Sequence, residues 1–202
     1  LVTIEIPKGG KQSLTRNLYF VFDSSGSMNS KVSGKRKIDG AKEAVASFMR
    51  AVPQEDNLGL YVYDGSGGRE VLPLGPGNHK SFLEEIQKLR PDGGTPLAKA
   101  VHFGTDHLVE QYKKQLGYGE FRLIIVTDGE ADVMDDFLES LRYATSYRIP
   151  IYAIGIDVEL DNCLRDYAVY YAEAHDYQQL QKALQDTLAE VTVFDPTEFQ
   201  GQ

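Results

Sequence analysis

Side chains that bear oxygen follow an apolar run near the start of the chain. Residues 18–22 are all apolar or aromatic, and the next five are Asp23, Ser24, Ser25, Gly26 and Ser27. The first run lacks polar alternation, which predicts a strand buried on both faces, and the residues after it favour a turn. Ligands of open α/β sheets bind outside the carboxyl ends of the strands. Oxygen groups placed there suit a hard cation such as Mg²⁺ better than zinc or copper.

Two later segments place oxygen donors in a similar setting. Thr95 follows two glycines and precedes Pro96, and Asp128 follows the mostly apolar stretch 121–127, which is interpreted as a buried strand. Each also has a purely structural interpretation. Thr95 fits the N-cap of a helix that has Pro96 at its first position. Asp128 fits an ordinary turn at the end of a strand.

The elements that position these residues alternate between strand and helix. Strands are predicted at 18–22, 58–63, 70–74, 121–127, 150–156 and 168–172, and helices at 41–52, 82–89, 97–108, 137–144 and 180–191. Only a short stretch, which contains the five loop residues 64–68, separates the second and third strands, and this is too short for a parallel crossover. The prediction is therefore an α/β, Rossmann-like, doubly wound fold. Its six-stranded sheet is mostly parallel, with one antiparallel edge strand and helices on both faces. The order 3-2-1-4-5-6 makes Asp23 and Asp128 end adjacent strands at the topological switch point.

The three oxygen-bearing segments together resemble one known family. The stretch DSSGS, Asp23 to Ser27, resembles the DxSxS motif of von Willebrand factor type A (VWA) domains, the first segment of their metal-ion-dependent adhesion site (MIDAS). The stretches GGTP at 93–96 and TDG at 127–129 match the other two segments in order and context. The resemblance runs from about residue 17 to residue 191. It implies a VWA domain at 17–193, with a leader or edge strand at 1–16 and a loose tail at 194–202.

The resemblance also implies a site and a function. The metal residues would be Asp23, Ser25, Ser27, Thr95 and Asp128. The three hydroxyls would touch Mg²⁺ (or Mn²⁺ or Ca²⁺), and the two carboxylates would act mainly through water or by hydrogen-bonding those hydroxyls. Neutral ligands leave the ion most of its positive charge, so that it can accept a carboxylate from a protein partner. The implied function is non-enzymatic protein binding, as in cell adhesion, and a shift of Asp128 into direct contact would weaken it.

Two alternatives to this function remain. The first is a metal-dependent phosphohydrolase in which Asp23, at the strand end, is the nucleophile. Haloacid-dehalogenase-like enzymes have that plan, but they need a second Asp two residues further on, where this chain has Ser25. The second alternative is a scaffold whose site binds no metal.

Composition restricts the partners and the setting. The chain has 202 residues, enough for one domain, and a net charge of −9, which argues against a nucleic-acid partner. No apolar run approaches the roughly 20 residues of a membrane helix, so we expect no direct membrane insertion of this segment. Cys163 is the single cysteine, which excludes an intrachain disulfide and a cysteine-based metal site. We expect an excised domain, monomeric in isolation, from an extracytoplasmic or cell-surface protein.

Other chemistry-bearing residues give weaker signals. A polar and basic stretch at 29–37 predicts a solvated loop, with the alternative that it helps to hold an acidic ligand; its basic residues are Lys31, Lys35, Arg36 and Lys37. His102 and His107 lie five apart on a predicted helix, so they face different directions and are interpreted as structural or surface residues. Glu130 and Asp132 are interpreted as part of an exposed acidic loop, with a place at the rim of the site as the alternative.

Overall fold

A computed structural model describes residues 15–129, 131–157 and 162–188 of the chain. Among these residues the strands are β1 (Arg16–Asp23), β2 (Lys31–Val32), β3 (Lys35–Arg36), β4 (Asn57–Asp64), β5 (Gly67–Gly75), β6 (Glu120–Thr127), β7 (Ile151–Ile156) and β8 (Ala168–Ala174). The α-helices are α1 (Lys37–Phe48), α2 (His79–Lys88), α3 (Leu97–Lys114), α4 (Met134–Ser146), α5 (Asn162–Tyr167) and α6 (Tyr177–Asp186). A short 3-10 helix spans Gly26–Asn29.

The main sheet has the topology expected from the sequence. In the described part of the chain it has six strands in the order β5-β4-β1-β6-β7-β8, which is 3-2-1-4-5-6 when these strands are counted along the chain. All neighbours pair in parallel except β4 and β5, which form the predicted antiparallel hairpin at one edge. The predicted fold class is confirmed.

Two hydrophobic cores lie on opposite faces of the sheet. Alternate residues of β1 enter different cores: Phe20 and Phe22 pack beneath α1, α2 and α6, whereas Tyr19 and Val21 pack beneath α3 and α4. All four side chains have zero exposure, which is why the strand lacks polar alternation.

Helix α3 lies unusually close to the sheet at Gly104. A Cβ atom at this position would lie 2.7 Å from a side-chain carbon of Leu123 and 2.9 Å from the ring of Tyr19. The missing side chain therefore lets the helix approach β1 and β6. This packing fixes the direction from which the loop before α3 reaches the carboxyl ends of those strands.

Strands β1 and β6 form the topological switch point. The chain leaves β1 toward α1 on one face of the sheet and leaves β6 toward α4 on the other face. Phe22 and Val126 are in register, so Asp23 and Asp128 emerge at the same edge of the sheet. The space between the two departing loops is where an open α/β sheet binds a ligand.

The structure differs from the sequence-based prediction in the basic stretch. It forms the two-stranded hairpin β2–β3 and the start of α1, where a loop was expected. Both residues of the hairpin turn have positive φ, 51° at Ser33 and 84° at Gly34, as a tight hairpin turn requires.

Some predictions fall on the undescribed parts of the chain. Residues 1–14 of the predicted leader or edge strand, the loose tail and the end of the last helix at Val191 lie outside the described residues, and α6 ends at Asp186. The domain boundaries at 16/17 and 193/194 stay predictions. Among the described helices, none combines the length and apolar character that crossing a bilayer requires.

Candidate metal centre

Asp23 is the most deeply buried of the predicted site residues. Its side chain joins the ends of β1 and β6: Oδ1 accepts from the Ser25 backbone N–H at 2.7 Å, and Oδ2 accepts from the Thr127 hydroxyl at 2.6 Å. The Asp128 N–H also donates to Oδ2, at 3.2 Å. Burial raises the pKa of the Asp23 carboxyl, although hydrogen bonds from Ser25 and Thr127 oppose that shift. Asp23 therefore frames the two loops and has neither oxygen free.

A chain of three oxygen groups crosses from the first loop to the loop after β6. The hydroxyls of Ser25 and Ser27 are 2.9 Å apart, and the Ser27 hydroxyl donates to Oδ1 of Asp128 at 2.6 Å. Ser25 and Asp128 are buried, whereas Ser27 is exposed. The series of oxygens is thus exposed at Ser27, its middle member, where a cation or a partner could reach it.

Thr95 brings the third loop to the same place. Its hydroxyl lies beside the turn after Asp128, because a Cβ atom built on Gly129 would stand 3.7 Å from it. The Thr95 backbone N–H donates to Oδ1 of Asp132 at 2.9 Å, and the Asp132 N–H donates to the Thr95 carbonyl at 3.1 Å. Among the described residues the Thr95 hydroxyl has no hydrogen-bond partner.

The expected N-cap at Thr95 is wrong by one residue. Helix α3 begins at Leu97 with Pro96 as its N-cap, and no side chain caps this end. The reason is the contact with Asp132, which holds the Thr95 backbone in the loop. The N-cap interpretation therefore does not account for the Thr95 hydroxyl.

Backbone hydrogen bonds tie the Thr95 loop to the first loop. Asp92 N–H donates to the Ser24 carbonyl, and Gly26 N–H donates to the Gly93 carbonyl, both at 3.0 Å. Gly93 has a φ of 80°, and a Cβ atom there would stand 2.8 Å from the Asp64 carbonyl oxygen. Only glycine fits this position. The three loops thus form one connected rim above β1 and β6.

Lys37 also reaches this rim. Its ammonium lies 2.9 Å from Oδ2 of Asp128, and the two side chains are 10% and 0% exposed. The sequence placed Lys37 in a basic loop without distinguishing it from its neighbours. Lys35 and Arg36 pair instead with Glu43 and Asp39 at the surface. Lys37, the first residue of α1, is therefore the residue of the basic stretch 29–37 that enters the site.

The remaining candidates have other roles. His102 stacks on Tyr143 at 4.2 Å between ring centroids, and His107 stacks on Tyr19 at 5.7 Å, both away from the rim. Glu130 lies outside the described residues. Asp132 is exposed, as expected, and it also positions the Thr95 loop, which corresponds to the alternative of a place at the rim of the site. The particular contact was not predicted because it joins distant loops.

The donor set fits a hard divalent cation. Two carboxylates and three hydroxyls supply oxygen alone, as Mg²⁺, Mn²⁺ and Ca²⁺ prefer. In the described residues no cluster of three or more His, Cys, Asp or Glu side chains is placed to hold a metal. A site here would therefore depend on hydroxyls, and the free Thr95 hydroxyl suits that role. We refer to Asp23, Ser25, Ser27, Thr95 and Asp128 as the candidate centre.

The fold and the position of these oxygens define a class: a Rossmann-like α/β domain with oxygen donors at its switch point. The chain belongs to the von Willebrand factor type A domain family, whose model matches residues 17–201. VWA domains are commonly protein-interaction or adhesion modules, are generally non-enzymatic and often bind divalent metal. The resemblance noted from the sequence is thereby confirmed at the level of the family.

Individual proteins are similar to this chain in sequence or in fold. The uncharacterized protein YwmD of Bacillus subtilis (strain 168) is 31% identical over 146 residues, covering 64% of this chain and 63% of YwmD. The pilus adhesin SpaC of Lactobacillus rhamnosus GG superposes with a TM-score of 0.72 at 15% identity, over 87% of this chain and 30% of SpaC. The manganese-loaded TRAP protein of Plasmodium vivax gives a TM-score of 0.66 at 18% identity, over 88% of this chain and 74% of that structure.

Proposed function

We propose that this domain binds a protein partner through a divalent cation held at the candidate centre. Ser25, Ser27 and Thr95 would hold Mg²⁺, or Mn²⁺ or Ca²⁺, through their hydroxyls. When bound, the cation supplies positive charge and a coordination position for an acidic side chain of the partner. The proposed partner is therefore a protein that presents a carboxylate, and the domain itself performs no reaction.

The chain's own carboxylates would have a supporting role. Asp23 fixes the Ser25 loop through the Ser25 N–H, and it fixes the end of β6 through Thr127. Asp128 orients the Ser27 hydroxyl. Because each carboxylate is engaged by protein donors, the direct ligands would be mainly neutral. Neutral ligands leave the cation electrophilic toward an outside carboxylate.

One observation carries the proposal. The Thr95 hydroxyl, without a partner among the described residues, lies beside Gly129, and the residue before Gly129, Asp128, ends the hydrogen-bonded series Ser25, Ser27 and Asp128. The loops of Ser27 and Thr95, which are distant from each other in sequence, thus both meet the loop after β6. Their separate structural roles do not account for this meeting, since Thr95 does not cap its helix.

The geometry argues against the phosphohydrolase alternative. A nucleophilic aspartate needs an oxygen that can reach phosphorus. Asp23 has zero exposure, and both of its oxygens accept hydrogen bonds from the protein. Adhesion at a surface remains the better setting, and SpaC, a pilus adhesin, is a structural neighbour from such a setting.

Thermal unfolding with and without cation tests the metal part of the proposal. A cation at a hundred times its dissociation constant stabilises the folded form by about 2.7 kcal/mol. For a domain of this size that raises Tm by roughly 5–10 °C. Replacing Thr95 with alanine should greatly reduce the rise. Replacing Thr145, an exposed threonine on α4, should leave it unchanged.

Two outcomes would overturn the metal part. The first is a wild-type Tm that Mg²⁺, Mn²⁺ and Ca²⁺ all leave at its value in chelator. The second is a Thr95→Ala variant that keeps the full rise. A Thr95→Ala variant that is unfolded in chelator by circular dichroism would show a structural role for that hydroxyl.

The partner part needs a separate assay. The immobilised domain is exposed to surface proteins of the source cell in Mg²⁺ and in chelator, and proteins retained only in Mg²⁺ are identified. Acidic residues of such a partner are then changed to amides one at a time. The proposal expects one change to abolish capture, and it fails if every amide variant is retained as well as the parent.

A further inference from the structure

The ion pair between Lys37 and Asp128 differs from the others in its segment. The pairs Lys35–Glu43 and Arg36–Asp39 connect side chains that are each more than a third exposed. Lys37 and Asp128 are 10% and 0% exposed, and they join residues 91 positions apart. Moving two charges out of water costs free energy. A buried pair of this kind therefore has a role other than keeping the protein surface hydrated.

A rigid element delivers the ammonium of Lys37 to this position. Lys37 is the first residue of α1, and its backbone N–H donates to the Ser30 carbonyl at 2.9 Å. The 12-residue helix is anchored in the core by Ala41, Val45 and Phe48. The Lys37 side chain therefore leaves a fixed point next to the loop after β6.

The pair determines how Asp128 can act in the candidate centre. Oδ1 of Asp128 accepts from Ser27 at 2.6 Å, and Oδ2 accepts from Lys37 at 2.9 Å. Both oxygens are thus engaged by the protein. For Asp128 to become a full direct ligand, it would have to give up one of these contacts.

Lys37 also changes the charge of the site. Within the candidate centre, the carboxylates of Asp23 and Asp128 contribute −2 when both are ionised, and Lys37 adds +1, which leaves −1 before the exposed Asp132 at the rim is counted. A divalent cation then brings the sum to +1, the charge that a single partner carboxylate neutralises. Without Lys37 the loaded site would sum to zero and would attract a carboxylate less.

We propose that Lys37 is a specificity-determining residue that weakens cation binding at the candidate centre and strengthens binding of the partner's carboxylate. It does so by occupying Oδ2 of Asp128 and by adding one positive charge. This inference rests on the proposed function, since it concerns the same site.

The test compares Lys37→Met with Lys35→Met as a matched control. Both lysines line the same cavity of about 420 Å³, together with the apolar residues Ile156, Ala174 and Leu180. A methionine stem therefore has room and apolar neighbours at either position. Lys35 pairs with the exposed Glu43 and does not contact Asp128, so its replacement controls for the loss of a positive charge near the surface.

Titration calorimetry with Mg²⁺ and Mn²⁺ on chelator-treated protein measures the first effect. Lys37→Met should bind both cations about tenfold more tightly than wild type, a change of about 1.4 kcal/mol. Lys35→Met should stay within about twofold. Acetate is the probe for the second effect, added to Mn²⁺-saturated protein and followed by water-proton relaxation. Lys37→Met should bind acetate more weakly than wild type and Lys35→Met.

The possible results separate this inference from the proposed function. A folded Lys37→Met variant with unchanged or weaker cation affinity overturns the inference, as does unchanged or tighter acetate binding. If wild type binds no cation but Lys37→Met does, the proposed function fails while the effect of Lys37 stands. If neither binds a cation, both are overturned.

Discussion

Replacing Thr127 with valine removes one hydroxyl from the buried network behind the candidate centre. That hydroxyl donates to Oδ2 of Asp23 at 2.6 Å and accepts from the Tyr63 hydroxyl at 3.3 Å. Thr127 has zero exposure, so water cannot replace the lost contacts. Burial raises the pKa of Tyr63 well above its ordinary value, so its hydroxyl stays protonated and loses Thr127 as an acceptor.

The structure sets the size of the expected effect. A hydrogen bond to a charged group contributes about 1.5–3 kcal/mol, and the longer Tyr63 contact adds under about 1 kcal/mol. Oδ2 of Asp23 would keep the longer hydrogen bond from the Asp128 N–H, at 3.2 Å. We therefore expect Thr127→Val to lower the free energy of unfolding of the metal-free protein by about 2–4 kcal/mol.

Thr105→Val is the matched control. Thr105 is equally buried, but its hydroxyl donates to the Val101 carbonyl within α3 at 2.8 Å and contacts no charged group. Its replacement should cost about 1 kcal/mol or less. Urea unfolding in chelator measures both variants, and with a slope of about 2 kcal/mol/M the Thr127→Val midpoint should fall by roughly 1–2 M. The reasoning is refuted if Thr127→Val loses no more stability than Thr105→Val.

Two further predictions concern residues around the rim. Asp132→Ala removes the acceptor of the Thr95 N–H, so the cation affinity measured by calorimetry should fall by roughly 10–100-fold. Asp135→Ala, at an exposed position, is the control, and equal cation affinities in the two variants would contradict this prediction. Arg69 holds the pKa of Asp64 below its ordinary value by hydrogen bonding, and this stabilisation is present above the ordinary pKa and lost as pH falls through the lowered one. Arg69→Met should therefore be less stable than wild type at pH 7. The difference in the free energy of unfolding should be under about 1 kcal/mol, because Arg69 is partly exposed, and this gap should close below about pH 4. Urea unfolding across that range checks the trend, and a gap that widens on acidification would be inconsistent with it.

Much of the architecture could be predicted because it follows from local signals. The apolar run before Asp23 has no polar alternation, and that pattern alone indicates a strand covered on both faces. The short connection that contains residues 64–68 requires a hairpin, and the hairpin places one antiparallel strand at an edge of the sheet. The remaining crossovers then determine the strand order and the switch point.

The parts that could not be predicted depend on contacts between distant loops. Thr95 and Pro96 carry a strong local signal for a helix start, but Asp132 holds the Thr95 backbone outside the helix. Lys37 is one of several basic residues in its segment, and the direction of its long side chain depends on where α1 begins. A Ser-Gly pair at 33–34 was the available sign that this segment turns in a hairpin.

Diffraction from crystals grown with Mn²⁺, recorded at the manganese absorption edge, tests whether the candidate centre holds a divalent cation. We expect an anomalous peak at the carboxyl ends of β1 and β6, within coordination distance of the hydroxyls of Ser25, Ser27 and Thr95. The same crystals of a Ser27→Ala variant should lose most of that peak. A wild-type crystal with no peak at this edge of the sheet, or with its manganese bound elsewhere on the domain, would show that the candidate centre does not bind the cation.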